Sequence, residues 1–144
     1  MKTDILIVDD DDIIAELTSA ILKEHGHSCR WAANGKDATS LIDDRRPDLI
    51  LLEDELPGIS GLQWLRDLRG SARDRLIPVI MFTRPASDRD ELLAIYYGAQ
   101  DCIRKPFEPD ALVAKIRRWV VPCDRPRSHG EAVLCGRPTI DTTR

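Results

Sequence analysis

Ile5-Leu6-Ile7-Val8-Asp9-Asp10-Asp11-Asp12 (residues 5–12) sets four aliphatic residues directly against four acids. An aliphatic run with no polar alternation is the pattern of a short strand buried on both faces, as in a parallel sheet. The period then changes. Ile13, Ile14, Leu17, Ile21 and Leu22 form an apolar stripe at helical spacing. Asp11 or Asp12 can cap that helix, and Gly26 ends it, with His25 in its last turn.

The same strand-then-helix pattern recurs as far as residue 121. Residues 28–32 read as a weak strand, Asn34-Gly35 as a turn, and 36–44 as a helix carrying Ala38, Leu41 and Ile42 on one face. Residues 49–52 are a second fully buried strand. The Pro57-Gly58 loop follows, then a helix over 61–69 with Leu62, Leu65 and Leu68 inward. Residues 78–82 are a strand, and 88–97 a helix capped by Ser87 or Asp88 and closed at Gly98. Residues 101–104 are a short strand, and 109–121 a last helix striped by Leu112, Val113, Ile116 and Val120. Five βα units in succession give an α/β fold. It is a (βα)5 doubly wound parallel sheet with right-handed crossovers and helices on both faces.

Composition agrees. The 144 residues make one domain that can bury a core without disulfides or metals. Aromatics are only 5% of the chain, so that core is aliphatic. No apolar run is long enough for a membrane span, and Met1-Lys2-Thr3-Asp4 has no signal-peptide layout. Cys29, Cys102, Cys123 and Cys135 form no CxxC pair, which favours a reducing, cytoplasmic setting over zinc or disulfides. The net charge of −4 divides into −5 on residues 1–121 and +1 on 122–144. That balance argues against direct nucleic-acid binding by the first 121 residues. The acids concentrate instead at residues 9–12 and 53–55.

In a doubly wound sheet, ligands bind beyond the carboxyl ends of the strands. That rule selects Asp9 and Asp10, Glu53, Thr83 and Lys105. Three converging carboxylates raise one another's pKa values, and a Mg²⁺ ion relieves the repulsion. Lys105 offers a compact charge to a phosphoryl oxygen, and Thr83 offers a hydroxyl. Pro106 can fix that strand end through a cis peptide. The set reads as a phosphoryl site.

The segments ILIVDD (5–10), PDLILLE (47–53), LPGISG (56–61), PVIMFT (78–83), GAQD (98–101) and KPF (105–107) occur in this order and spacing. Together they resemble a response-regulator receiver domain of two-component signalling over residues 4–121. The resemblance implies a flavodoxin-like strand order 2-1-3-4-5. It makes Asp9, Asp10 and Glu53 the metal-site acids, with Asp10 the direct Mg²⁺ ligand, and the Mg²⁺ held more weakly than in a usual receiver. Thr83 matches the switch hydroxyl, Lys105 the phosphate-contacting lysine, and Glu53 the phosphoacceptor position. The implied partners are a sensor histidine kinase and a second copy of the chain. The copies would meet through the face of the fourth helix, fifth strand and fifth helix. On that face Asp101 and Lys115 match one charged pair, and Arg117 and Arg118 are further donors. Glu91 and Ala111 do not match another usual pair.

Three residues depart from the family pattern. The family carries an aspartate where this chain has Glu53, and the spacing to Leu56-Pro57-Gly58 excludes a slide to Asp54. The extra methylene moves the carboxylate oxygen out of the line that aspartyl-phosphate chemistry needs. Glu53 is therefore expected to escape phosphorylation and to reach toward Thr83 and Lys105. Arg84 stands where a small residue is usual and can pair with Glu53. Cys102 replaces the switch aromatic. The expectation is an atypical receiver with no enzymatic turnover of its own. Two rivals are a Mg²⁺-dependent phosphatase or phosphotransferase of haloacid-dehalogenase type using Asp9 and Asp11, and a metal-independent adaptor. Residues 122–130 read as a linker. Residues 131–144 resemble the opening strands of the winged-helix DNA-binding domain of OmpR-like regulators, cut short, so DNA would be a partner only through that effector domain.

Overall fold

The computed structural model of the chain describes residues 3–83 and 88–120. Five strands alternate with five helices: β1 (Thr3–Val8), α1 (Asp12–Glu24), β2 (His27–Ala32), α2 (Gly35–Asp44), β3 (Leu49–Glu53), α3 (Gly61–Arg69), β4 (Val79–Thr83), α4 (Asp88–Tyr96), β5 (Asp101–Arg104) and α5 (Pro109–Trp119). All strand pairs are parallel and the order is β2-β1-β3-β4-β5, as expected. Arg84, Ser87, the linker and the tail fall outside the described residues.

The aliphatic strands feed two cores by alternation. Leu6 and Val8 of β1 with Ile50 and Leu52 of β3 face Ala38, Ile42, Trp64 and Leu65 of α2 and α3. Ile5 and Ile7 with Leu49 and Leu51 face Ala15, Leu22, Leu112 and Ile116 of α1 and α5. β1 and β3 are buried along nearly their whole length, so their backbone groups depend on the ladder for hydrogen bonds. Their carboxyl ends, where Asp9 and Glu53 stand, are fixed as a result.

Local signals set the helix starts. Asp11 caps α1, its carboxylate accepting from Ile13 N at 3.0 Å and Ile14 N at 3.2 Å. Asn34 is the cap of α2, with Gly35 already its first residue, and Ser60 caps α3. The apolar stripe of α1 divides, however. Ile13 and Leu17 are 73% and 51% exposed, and Ala15 and Thr18 are buried in their place. In α3, Leu62 is only half-buried and Trp64 faces the core, its indole N–H donating to Thr39 Oγ1 at 3.1 Å.

Arg69, at the end of α3, ties three segments together. Its guanidinium donates to Gly98 O, Ile77 O, Arg75 O and Gln100 Oε1 at 2.8–3.0 Å. Burial lowers its pKa, and among the described residues this set of acceptors holds a desolvated guanidinium without a carboxylate. Gly98 has φ +114°, and a Cβ there would lie 2.8 Å from Arg69 Cγ and Nε. Among the described residues, no helix is long and apolar enough to cross a membrane.

Candidate functional site

β1, β3, β4 and β5 bring Asp9, Glu53, Thr83 and Lys105 to one end of the sheet. Asp9 is 0% and Glu53 1% exposed. The Lys105 ammonium donates to Asp9 Oδ2 at 2.8 Å and also to Glu53 Oε1. The second oxygen of each acid is used as well. Asp9 Oδ1 accepts from Asp11 N at 3.0 Å, and Glu53 Oε2 accepts from Glu55 N at 3.1 Å. One lysine thus bridges two buried carboxylates, each closed off by a backbone N–H two residues on.

The electrostatics follow from burial and from this bridge. Burial pushes the Asp9 carboxyl above the usual range, against the pull of Lys105 and the Asp11 N–H. Burial alone would lower the Lys105 pKa, but its bonds to Asp9 and Glu53 outweigh burial and raise it. The lysine is therefore charged, as a buried pairing of this kind requires.

The flanking geometry holds the three groups in place. Gly61, the first residue of α3, packs on the Glu53 carbonyl; a Cβ there would lie 2.2 Å from that oxygen. The Gly61 N–H also donates to Asp54 O at 2.7 Å. β3 thus runs one residue past the expected 49–52 strand and ends at Glu53. The Lys105-Pro106 peptide is cis. Phe82 and Phe107 stack with centroids 5.5 Å apart, and Lys105 Nζ lies 5.4 Å from the Phe82 centroid. Sequence reading missed this aromatic wall, although PVIMFT and KPF contain both rings. It also missed Trp31, whose indole N–H donates to Asp9 O at 2.7 Å and holds the Asp9 backbone.

Several expectations need correction. Glu53 reaches Lys105 but not Thr83: Thr83 Oγ1 is buried without a hydrogen-bond partner among the described residues. Asp9 and Glu53 converge on Lys105. Asp10 is exposed, and no group of three His, Cys, Asp or Glu among the described residues is placed to hold a metal. Asp11 caps α1 through Oδ1 and meets Asp9 through its backbone N–H, not its carboxylate. Within the chain, Lys115 donates to Asp101 at 2.9 Å, and Trp119 Nε1 also donates to Asp101 at 3.3 Å. Burial opposes the charge on Asp101, but these bonds and the Cys102 N–H hold its pKa below the usual value. Arg117 and Arg118 are exposed on the same helix. Cys102 is half-buried, its thiol pushed up to about 11, first by burial and then by Glu91 and Asp101.

Two buried acids from β1 and β3, a hydroxyl from β4 and a lysine after β5 thus stand at one end of a parallel sheet. Residues 5–117 match the family model for the response regulator receiver domain. The chain belongs to that family. This receiver is 42% identical over 116 residues to the phosphate regulon transcriptional regulatory protein PhoB of Pseudomonas aeruginosa, a match covering 78% of this chain and 49% of that protein. It is 38% identical over 117 residues to the DNA-binding response regulator MtrA of Mycobacterium tuberculosis, covering 81% and 50%. The chain therefore spans about half the length of the curated relatives it matches. Among solved structures, a putative response regulator from Chloroflexus aurantiacus superposes with TM-score 0.78 at 32% identity, over 81% of this chain and 96% of that one. The chemotaxis response regulator CheY4 of Vibrio cholerae gives 0.77 at 25%, over 82% and 98%.

Receiver domains generally bind Mg²⁺ at the acidic site. In this receiver the donor set does not fit as arranged. All four oxygens of Asp9 and Glu53 accept hydrogen bonds, two of them from an ammonium, so of the three acids only the exposed Asp10 offers an open carboxylate. A small, strongly hydrated dication needs open oxygen ligands in near-octahedral array.

Proposed function

We propose that this receiver is a signalling and dimerisation module in which a built-in ion pair replaces the phosphorylation switch. The observation that carries the reading is the bridge from Lys105 to Asp9 and Glu53. Attack on a phosphodonor needs a free carboxylate oxygen aligned with phosphorus. Glu53 holds Oε1 on Lys105 and Oε2 on the Glu55 N–H, and its longer side chain shifts both from an aspartate's position. Lys105 neutralises the acids in place of a metal, so Mg²⁺ binding is weaker than in a usual receiver. The domain carries no enzymatic turnover of its own.

The partners in this reading are a second copy of the chain, met across α4, β5 and α5, a sensor histidine kinase, and DNA through an effector domain only. The names of the PhoB and MtrA relatives support control of transcription, and the setting in this reading is the cytoplasm. Because Asp101 and Lys115 satisfy each other within the chain, pairing between copies leans on the exposed Leu92, Ile95 and Tyr96 of α4 as well as on Arg117 and Arg118.

The test is intact mass after incubation with acetyl phosphate and Mg²⁺, with light scattering on the same samples. Wild type should show no adduct and an oligomeric state indifferent to the donor. Glu53→Asp should gain the adduct. A phosphoryl group mapped to Glu53 in wild type sinks the proposal.

A further inference from the structure

A cleft of about 470 Å³ lies between α2 and α3 and shares no residue with the Asp9–Glu53–Lys105 site. Its floor is Ile42, Trp64 and Leu68, each less than a tenth exposed. Its rim carries three carboxylates, Asp43, Asp67 and Asp74, against a single guanidinium, Arg73. The formal charge of the lining is therefore −2. Small-molecule sites have this size and build: an apolar surface with a few convergent polar groups.

The walls are pinned. The Trp64 ring is tethered by its N–H to Thr39 on α2. Arg73 is drawn to the edge, donating to Asp74 at 3.1 Å and pairing with Asp43 of α2. The indole is held in the wall, and Arg73, 59% exposed, stands at the edge. Arg73 also shows what the rim accepts, since its planar cation lies between two of the acids. Asp67, the third, receives a hydrogen bond from Gln63 at 3.1 Å and has no cationic partner among the described residues. Asp74, only 7% exposed, is a rim carboxylate largely shielded from solvent, where screening by water is weaker.

We propose that this cleft binds a small organic cation, an amine or amidine on an apolar or aromatic body. The body lies over Trp64 and Leu68. The head pairs with Asp67 and shares Asp74 with Arg73, by charge-assisted hydrogen bonds. α3 begins at Gly61, against the Glu53 carbonyl, so an occupant rests on the helix that frames the family's site.

Benzamidine is the probe, with benzoate and benzamide as its anionic and neutral counterparts. ¹H–¹⁵N spectra of the full chain follow the Trp64 indole, assigned with Trp64→Phe, and the amides of Leu68 and Ser71. Benzamidine should give saturable shifts at these three positions, and benzoate none. Asp67→Asn should weaken binding up to about fivefold, the worth of a solvent-exposed ion pair, and Asp67→Glu should retain it. The spectra themselves report whether each variant is folded. No saturable shift at the cleft, equal binding of benzoate or benzamide, or an Asp67→Asn variant that binds as wild type would each overturn the proposal.

Discussion

Lys105 and Asp9 stand 96 residues apart in the chain and meet at 2.8 Å. The contact closes the site from its two ends, β1 and β5, with Glu53 of β3 as the second acceptor. Receiver chemistry depends on this end of the sheet, and three of its four central groups are already bonded to one another.

Lys105→Met should leave two buried carboxylates without a cation. Breaking a buried pair by removing one partner costs about 3–5 kcal/mol, read as a lower urea midpoint at neutral pH. The loss should depend on pH. Asp9 already has a folded pKa above its unfolded value, and losing Lys105 raises it further. A group of this kind gives stability below its unfolded pKa and loses it as pH rises through the folded one. The variant should therefore recover toward wild type as pH falls through the carboxylate range. A penalty equal at acid and neutral pH would contradict the ion-pair reading.

In wild type, the raised pKa of Lys105 gives stability that is fully present below the unfolded lysine value. It should fade only as pH rises through the folded one. Urea midpoints followed into the alkaline range should fall more steeply for wild type than for Lys105→Met.

Arg69→Met keeps the buried stem and removes the guanidinium. It leaves Gly98 O and Ile77 O without their donor. Each unsatisfied buried acceptor costs about 1–3 kcal/mol, so the variant should lose more than Lys→Met changes at exposed sites. Chemical denaturation measures it. A loss within the scatter of surface substitutions would show that water replaces the guanidinium freely.

Gly61→Ala puts a methyl 2.2 Å from the Glu53 carbonyl. The neighbour is backbone, so α3 or the end of β3 must move. Overpacking of this kind costs typically about 1–3 kcal/mol. The change should also displace the Lys105 Nζ resonance through Glu53, whereas Gly70→Ala, with its nearest atom at 3.5 Å, should not.

Cys102, with its thiol pushed up to about 11, should react slowly with iodoacetamide. Near pH 8 only roughly a thousandth of it is thiolate. Peptide mapping should show Cys102 protected in the native chain and labelled quickly in urea. Rapid native labelling would rule out the desolvated thiol.

Much of the fold was legible because its signals are local. Ile5-Leu6-Ile7-Val8 and Leu49-Ile50-Leu51-Leu52 have no polar alternation, and both became central strands. Asp11 before Ile13 offered a cap, and it is the cap. The α1 stripe was less informative. Five apolar residues at helical spacing span more of the helix surface than the sheet covers, and nothing in the sequence tells that Ala15 and Thr18 are chosen over Ile13 and Leu17. Arg69 was invisible for a similar reason: its acceptors are backbone carbonyls, which every residue carries.

For the site, the sequence by itself determined which side chains reach the carboxyl ends of the strands, because strand length and period 2 fix where a run ends and which face its last residue takes. It also determined that Glu53, not Asp54, holds the position that follows the apolar run of β3. Only the tertiary structure decided what those groups do to one another. Lys105 could have served a metal-filled pocket or a closed ion pair. The choice turns on the length of one side chain, the burial of Asp9 and two backbone N–H groups, and these meet only when segments 52 and 96 residues apart are brought together.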